Sequence, residues 1–385
     1  MMNSKTVIVG GGFAGRQACR ALRGAEDEIV LIDPRSTSVM LPALPDLAGG
    51  WVDERLLFQT LETLLPKNIR HLKKAVTSID LDTKTLIAGG ETVSFDKLLI
   101  AAGSVTDFHG FDQHRERIYH LDSLETARRI RDDFGAYLLQ TEHPHVVMAG
   151  GGYTGLELAA SLFYRAQTAG KPCRVTVIDP GKEILPFLPE AKRQYIKAFL
   201  DRTGITVLPE TRVTGFDGKN VTAGDQTFED AFFCWAGGST FAVPELKGRV
   251  ERLRDGRLKV NPDLSLPNYP DVFAAGDSTA FEHNGQMLRK AINFAWYEGK
   301  CAGKNIARRL RKKETKPFRP FDAGWVIPLH GDSVGQMFGR IWMRGKPGLR
   351  LHYFMCGFRN TCFTNFAGFA RIAAKLFKKE AHHED

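Results

Sequence analysis

The chain has few cysteines, and they are scattered. Cys19, Cys173, Cys234, Cys301, Cys356 and Cys362 include no C-x-x-C pair. A disulfide framework or a metal centre therefore has no support, and no metal ligands are assigned. No window approaches about 18 uninterrupted apolar residues, so no transmembrane helix is expected. The first residues enter a strand pattern and a glycine turn almost at once. No charged leader with an apolar core precedes them, so a secretory signal is not expected and the cytoplasmic side is. Recognised nucleic-acid modules and aromatic base platforms are also missing. The formal net charge of +9 then needs another reading, a solvated basic surface or an anionic membrane face. Much of it lies in Arg308-Arg309-Leu310-Arg311-Lys312-Lys313 and in the C-terminal stretch.

What the chain does have is one pattern twice. Thr6-Val7-Ile8-Val9 leads into Gly10-Gly11-Gly12-Phe13-Ala14-Gly15, and Ile29-Val30-Leu31-Ile32 ends in Asp33. Val147-Met148-Ala149 leads into Gly150-Gly151-Gly152-Tyr153-Thr154-Gly155, and Arg174-Val175-Thr176-Val177-Ile178 ends in Asp179. Each copy has strand, G-x-G-x-x-G turn, helix, strand and acid in order. The first glycine allows the turn, the second admits a pyrophosphate, and the third lets helix and strand pack closely. The helix N-terminus offers N–H donors to phosphate, and the acid accepts from a ribose diol. Two dinucleotide sites in one chain point to a flavin reduced by a nicotinamide.

The surrounding pattern repeats as well. Lys97-Leu98-Leu99-Ile100-Ala101-Ala102-Gly103 and Phe232-Phe233-Cys234-Trp235-Ala236-Gly237 are apolar runs ending in small residues, and Val272-Phe273-Ala274-Ala275-Gly276-Asp277 is a third. Helices are expected over Arg55–Leu65, Glu125–Gln140 and Arg289–Arg311, and strands over Val76–Leu81 and Thr85–Ile87. Lys312 to Pro320 reads as a linker. Asp179 repels a 2′-phosphate and favours NADH over NADPH, with Lys182 three residues on as a counterweight. From Phe363, the apolar Phe366, Phe369, Ala370, Ala373, Leu376 and Phe377 alternate with Arg371, Lys375, Lys378 and Lys379 at helical spacing. This fits a helix packed on its own domain, or one lying in an anionic membrane interface.

In order, these motifs resemble the two-dinucleotide-binding-domain flavoproteins over about residues 5 to 310. Within them the chain is most similar to the type II NADH:quinone oxidoreductases. Val39-Met40-Leu41-Pro42-Ala43-Leu44-Pro45 with Ala48-Gly49-Gly50 resembles their segment beside the flavin. Leu121 to Ala127 resembles their lead-in to the NADH domain, and Gly155-Leu156-Glu157-Leu158-Ala159 their second motif helix. The resemblance implies an α/β fold with two Rossmann-like domains. A discontinuous FAD domain would cover 1–115 and 250–320, an inserted NADH domain 116–249, and a C-terminal α-rich acceptor and membrane segment 321–385. FAD, held non-covalently, would lie on Gly10, Gly12, Gly15, Asp33, Gly276 and Asp277. NADH, the substrate, would lie on Gly150, Gly152, Gly155 and Asp179. Pro42, Val76, Ala102, Gly103 and Gly237 complete the cofactor-binding candidates. Glu157, near the nicotinamide, and Asn293 are the catalytic candidates.

The implied activity is hydride transfer from NADH to FAD, then electron transfer to a quinone, without proton pumping. The enzyme would lie on the inner face of the cell membrane through its C-terminal helix, with a homodimer among the expected arrangements. Two departures bear on this. No cysteine lies in Pro34–Gly50, where the disulfide-reductase branch carries its pair. The quinone enzymes usually show A-Q-x-A-x-Q-Q before a glycine. Here Asn293 stands for the first Gln and Tyr297-Glu298 for the pair. That leaves the acceptor open to a protein, to oxygen, or to a sulfide:quinone oxidoreductase-like chemistry using Cys356 or Cys362. A redox-signalling flavoprotein of the apoptosis-inducing-factor sort is a further class.

Overall fold

The computed structural model describes residues 4–242, 245–360 and 362–378. The chain divides into two compact units. One comprises Met1–Ser38, Gln59–Val105 and Ser239–Ala323, the other Val39–Phe58, Thr106–Gly238 and Gly324–Asp385.

The first unit is built on a six-stranded sheet. Its order is Ser265–Leu266, Tyr269–Ala274, Lys97–Ile100, Lys5–Val9, Glu28–Ile32, Ile69–Leu72. All neighbours run parallel except the first pair. A parallel sheet is covered on both faces, which is why these strands read as unbroken apolar runs. Val7, Val30, Leu98 and Val272 join one core, while Ile8, Leu31 and Leu99 are buried as well. A second sheet of four strands, Glu245–Lys247, Val76–Asp80, Thr85–Ala88 and Glu91–Ser94, closes that core through Ile79, Leu86 and Ala88. The first motif helix, Phe13–Ala21, lies against the long helix Ile292–Leu310. Glycine makes this contact possible. A Cβ on Gly299 would sit 2.1 Å from the Ala14 carbonyl oxygen, and one on Gly303 would sit 2.7 Å from Ala18 Cα.

The second unit repeats the plan with five parallel strands. Their order is Tyr119–His120, Phe232–Trp235, His145–Ala149, Arg174–Ile178, Ile205–Leu208. The second motif helix, Tyr153–Thr168, covers one face with Leu124–Gln140. The latter starts at a capping box between Ser123 and Thr126 and buries Leu124, Ala127, Ile130, Phe134 and Leu138, one helical stripe. The short helix Leu44–Ala48 packs on both of these helices.

One expectation needs adjusting. The helix expected over Arg55–Leu65 is broken into a 3-10 turn at Glu54–Leu56, a strand at Phe58–Thr60 and one turn at Leu61–Leu64. Asp53 caps the first turn by accepting from Arg55 N–H, and the Leu57 carbonyl is taken by Met40 N–H instead of continuing a helix. The C-terminal helices, Lys346–Asn360 and Phe363–Lys378, follow a three-stranded antiparallel sheet. That sheet, Gly324–Pro328, Ser333–Met337 and Ile341–Arg344, places Ile327 and Val334 in one core with Leu156 and Leu158. The last helix turns its stripe inward. Phe369 is fully buried, and Gly368 comes so close to Leu56 that a Cβ would overlap it. The side chains of Leu376, Phe377 and Lys378, and all of Lys379, lie outside the described residues.

Gly299→Val should force the helices Phe13–Ala21 and Ile292–Leu310 apart. Overpacking of this kind costs about 1–3 kcal/mol, read as a lower denaturation midpoint. An unchanged midpoint would mean that this contact does not hold the helices together.

Candidate functional site

Each unit presents a cradle at the end of its central strand. In the first, Gly10 has φ +102°, and a Cβ there would fall 2.2 Å from the Ala101 carbonyl oxygen. A Cβ on Gly15 would fall 1.8 Å from Gly10 O, so the third glycine brings helix onto strand. Gly12 caps the helix, and nothing lies within 4 Å of where its Cβ would be. That open space, with the first-turn N–H groups facing it, fits a pyrophosphate. Asp33 closes the cradle. Its Oδ2 accepts from Gly11 N–H at 2.7 Å, and Arg35 donates to Oδ1 through its backbone N–H (2.8 Å) and Nε (3.1 Å). Burial works against the Asp33 charge, but Arg35 and the Gly11 N–H outweigh it and hold the carboxyl below its usual range.

The second cradle has the same form. Gly150 has φ +106°, with a would-be Cβ 2.4 Å from Ala236 O. A Cβ on Gly155 would fall 1.9 Å from Gly150 O, and Gly152 faces open space. Gly237 lies beside Gly150, its N 2.9 Å from the would-be Cβ. Asp179 accepts from Gly151 N–H on Oδ2 and from Gly181 N–H on Oδ1, both at 2.7 Å. Glu157 lies on the same helix as Gly155, partly exposed, and burial pushes its carboxyl up to about 8. His352 lowers that value and Asp46 raises it.

The third strand end joins the first cradle. Ser104 Oγ donates to Asp277 Oδ2 at 2.8 Å, and Gly103 N–H to Ser278 Oγ at 3.2 Å, beside Ala102. Gly276, at φ +76°, packs on Ala14 and Ala295. Its N–H and the Thr279 hydroxyl both donate to Glu298 Oε2, at 2.6 and 2.7 Å. A hollow opens here, lined by Gly276, Asp277, Lys290, Ala291, Phe294 and Glu298. The long helix begins at its edge, at Ile292, and Lys290 Nζ donates to the Ser239 carbonyl. Asn293 is in the first turn, and its amide donates to the Phe321 carbonyl at 2.5 Å. Val76 opens a strand in this unit, whereas Pro42 lies in the 3-10 turn Leu41–Ala43 of the second.

Sequence reasoning missed two carboxyl groups here. Glu298 entered only as a replaced glutamine, and Asp46 did not enter at all. The pattern E-G-x-x-A-G at the helix contact could have flagged Glu298; no local signal marks Asp46. The cysteines are all free thiols. Burial pushes Cys19 and Cys173 up to about 12 and raises Cys234 further, so these thiols are poor nucleophiles at neutral pH. Cys356 faces His352 at 3.6 Å.

Glu298 generates a pH prediction. Burial pushes it from 4.5 to about 7, against the Thr279 and Gly276 donors. The folded chain therefore holds this proton where the unfolded chain has lost it. Its contribution to stability is complete below pH 4.5 and is lost as pH rises toward 7, by at most about 1.4 kcal/mol per pH unit. Glu298→Gln keeps an acceptor and cannot ionise. Its denaturation midpoint should fall less than wild type between pH 5 and pH 7; parallel curves would refute the assignment.

Comparison with known proteins agrees with this geometry. The chain is 28% identical to the type II NADH:quinone oxidoreductase NdhA of Mycobacterium tuberculosis, over 94% of this chain and 86% of that protein. It is 25% identical to the type II NADH:quinone oxidoreductase of Staphylococcus aureus, over 87% and 90%. Among solved structures, NDH2 of Plasmodium falciparum in complex with NADH superposes with a TM-score of 0.83 at 15% identity, covering 100% of this chain and 99% of that one. The sulfide:quinone oxidoreductase of Aquifex aeolicus superposes with a TM-score of 0.76 at 19% identity, covering 99% and 96%. At these identities the superpositions speak for the fold. Residues 4–298 match the family described as pyridine nucleotide-disulphide oxidoreductase, and the chain belongs to that family.

Proposed function

We propose that the protein is an FAD-dependent NADH dehydrogenase that passes electrons to a quinone without pumping protons. The observation that carries this reading is the pair of glycine cradles, each closed by an aspartate, with no cysteine pair after the first. A dithiol relay has no residues to run on. Bound FAD supplies a two-electron store that accepts a hydride. Gly10, Gly12, Gly15 and Asp33 would hold its adenosine diphosphate part, and Ala102, Gly103, Gly276 and Asp277 its ribityl end, with Val76 as a further contact. The N-terminus of the helix at Ile292 and the Lys290 ammonium put positive potential on the hollow beside Gly276, where negative charge is stabilised. Asn293 acts there by fixing Phe321 over the helix start. Gly150, Gly152, Gly155 and Gly237 would hold NADH, and Glu157, neutral at pH 7, would line its reactive end without repelling a hydride.

Three tests follow. Purified protein should be yellow, be bleached by NADH, and regain colour with a short-chain quinone. Bleaching without quinone turnover would give the acceptor role to oxygen or a protein instead. At Asp179, arginine would leave the Gly151 and Gly181 N–H groups without an acceptor, so asparagine is the cleaner change. Asp179→Asn keeps one acceptor and removes the repulsion of a 2′-phosphate. The NADH-over-NADPH ratio of kcat/KM should fall by about tenfold; an unchanged ratio would remove Asp179 from the ribose.

Membrane association is also proposed, by a surface other than the inward stripe of the last helix. Among the described residues no helix is long and apolar enough to cross a membrane. Phe354, Phe358 and Phe363 are 47%, 58% and 84% exposed, and the first two rings stack. Arg371 and Lys375 are exposed on the last helix. Aromatic rings with nearby cations suit an anionic interface. Replacing the three phenylalanines with serine should abolish flotation with anionic vesicles while dye-coupled NADH oxidation persists. Unaltered flotation would overturn the assignment of this surface.

A further inference from the structure

The two motif helices share a plan and differ in charge. The second, Tyr153–Thr168, carries one cation, Arg165, in its last turn, where the helix dipole favours it. The first, Phe13–Ala21, has no acid in its first turn and bears Arg16 at the end of that turn. A cation there meets the positive pole of the dipole. The residue after the third glycine is thus Arg16 in one copy and Leu156 in the other. Leu156 is 1% exposed and belongs to the apolar core of its unit. Arg16 is nearly as buried, at 5%.

The surroundings of Arg16 supply no counter-charge. Its Nε is buried without a hydrogen-bond partner, and no carboxylate pairs with the guanidinium, among the described residues. The neighbouring charge is Arg20, of the same sign, whose guanidinium lies 6.0 Å from the centroid of the Trp296 ring. Burial first, and Arg20 second, push Arg16 down to about 10, so it stays charged at neutral pH. A buried cation is strongly unfavourable unless an anion meets it. The geometry gives the direction of that anion. The Arg16 guanidinium lies over the Phe13 ring, 4.8 Å from its centroid. Phe13 is the first residue of the helix, directly after the Gly12 cap. Side chains on a helix lean toward its N-terminus, so the stem of Arg16 follows its ordinary course. The cation therefore sits at the cradle end of the helix, the end where Gly12 faces open space and the first-turn N–H groups point.

We propose that Arg16 is a cofactor-binding residue of the first cradle, its guanidinium pairing with the pyrophosphate of the bound dinucleotide, and that Leu156 leaves the second cradle without such a pair. The inference rests on the reading of the first cradle as the FAD site. A guanidinium presents parallel N–H donors that match two phosphate oxygens, and such charge-assisted pairs are the strong kind. Away from bulk water the attraction is less screened than at the surface. The same glycine turn thus serves two purposes. With Arg16 beside it, the cofactor has an ion pair to break before it can leave. With Leu156 in that place, the dinucleotide is held by backbone N–H groups and exchanges at each turnover. Binding also neutralises a charge that is unpaired in the empty cradle, so cofactor occupancy and stability are linked.

The test uses the full-length protein with FAD bound and with FAD removed. Flavin fluorescence, which rises as the cofactor leaves, gives the FAD Kd. Arg16→Leu copies the second cradle, and its Kd should rise about tenfold or more. Arg16→Lys keeps the charge without the planar fork and should fall between that variant and wild type. Denaturation midpoints separate this role from packing. Added FAD should raise the midpoint of wild type more than that of Arg16→Leu. Without FAD the order should reverse, with Arg16→Leu the more stable, because an unpaired buried charge has been removed. FAD held as tightly by Arg16→Leu as by wild type overturns the proposal. So does a midpoint lowered by the same amount with and without FAD, the mark of a packing residue. Should Arg16→Leu fail to fold, Arg16→Gln is read in the same way; if both fail, Arg16 is a core element and the proposal falls. Wild type that carries no FAD and takes up none on reconstitution defeats the reading of the first cradle itself, an outcome distinct from yellow wild type with an equally yellow Arg16→Leu.

Discussion

Both nucleotide cradles depend on one contact, a glycine Cα pressed against the backbone at the end of the neighbouring strand. Gly10 on Ala101 and Gly150 on Ala236 would place a Cβ 2.2 and 2.4 Å from a carbonyl oxygen, at φ values of +102° and +106°. No L side chain fits either place. The turn then drops the helix so close that the third glycine meets the carbonyl of the first. Only with the helix that near does its N-terminus open on the strand end, where a phosphate can reach several N–H groups at once. The rest of each unit serves to hold this geometry. Parallel strands fix the strand ends, and in the first unit Gly299 and Gly303 let a second helix lock the first in place. The near identity of the two contacts is the structural counterpart of the sequence repeat.

The two acids at the ends of the motifs are alike in sequence and different in setting. Asp33 shares its oxygens between Gly11 N–H and the guanidinium and N–H of Arg35. Among the described residues Asp179 rests on backbone N–H groups alone. A ribose hydroxyl reaching Asp33 competes with, or shares, an ion pair, while one reaching Asp179 meets a carboxylate already aimed by the backbone. The first arrangement suits a cofactor that binds once and stays. The second suits a substrate that enters and leaves each turnover, because no ion pair has to rearrange each time.

The parts legible in the sequence were those set by neighbours along the chain. The glycine turns, the terminal acids, the apolar strands and the capped helix over Leu124–Gln140 follow from spacing and local sterics. The parts that were not legible are set across the fold. The helix expected near Arg55 is interrupted because Asp53 caps one turn and the Leu57 carbonyl is claimed from Met40. The apolar stripe of the last helix has the same period whether it meets lipid or protein; Phe369 turns inward onto Gly357 and Tyr353 of the preceding helix, while Leu56, far away in sequence, closes on Gly368. Tyr353 and Asp46, hydrogen-bonded at 2.7 Å, stand 307 residues apart. No pattern on the helix of His352 could name its partner acid.

Glu298 shows how a departure from a family motif carries chemical meaning. Where the quinone enzymes usually have a glutamine, this chain places a carboxyl that is 2% exposed and accepts from Gly276 N–H and Thr279 O–H on a single oxygen. A carboxamide oxygen would accept both donors equally well. The exchange therefore adds no geometry; it adds an ionisable proton. Burial favours the neutral acid, the two donors favour the anion, and the nearby Asp277 again favours the neutral form. These opposing effects leave the group titrating at about 7. Its proton thus comes and goes within the ordinary pH range at the turn that carries Gly276 in its left-handed conformation. An amide would make that anchor constant, whereas the carboxyl tightens its two hydrogen bonds on ionisation, because charge-assisted bonds are the stronger kind. The turn that the Gly-Asp motif requires is therefore held by an acceptor whose strength follows pH, and the replacement of one amide oxygen is enough to make it so.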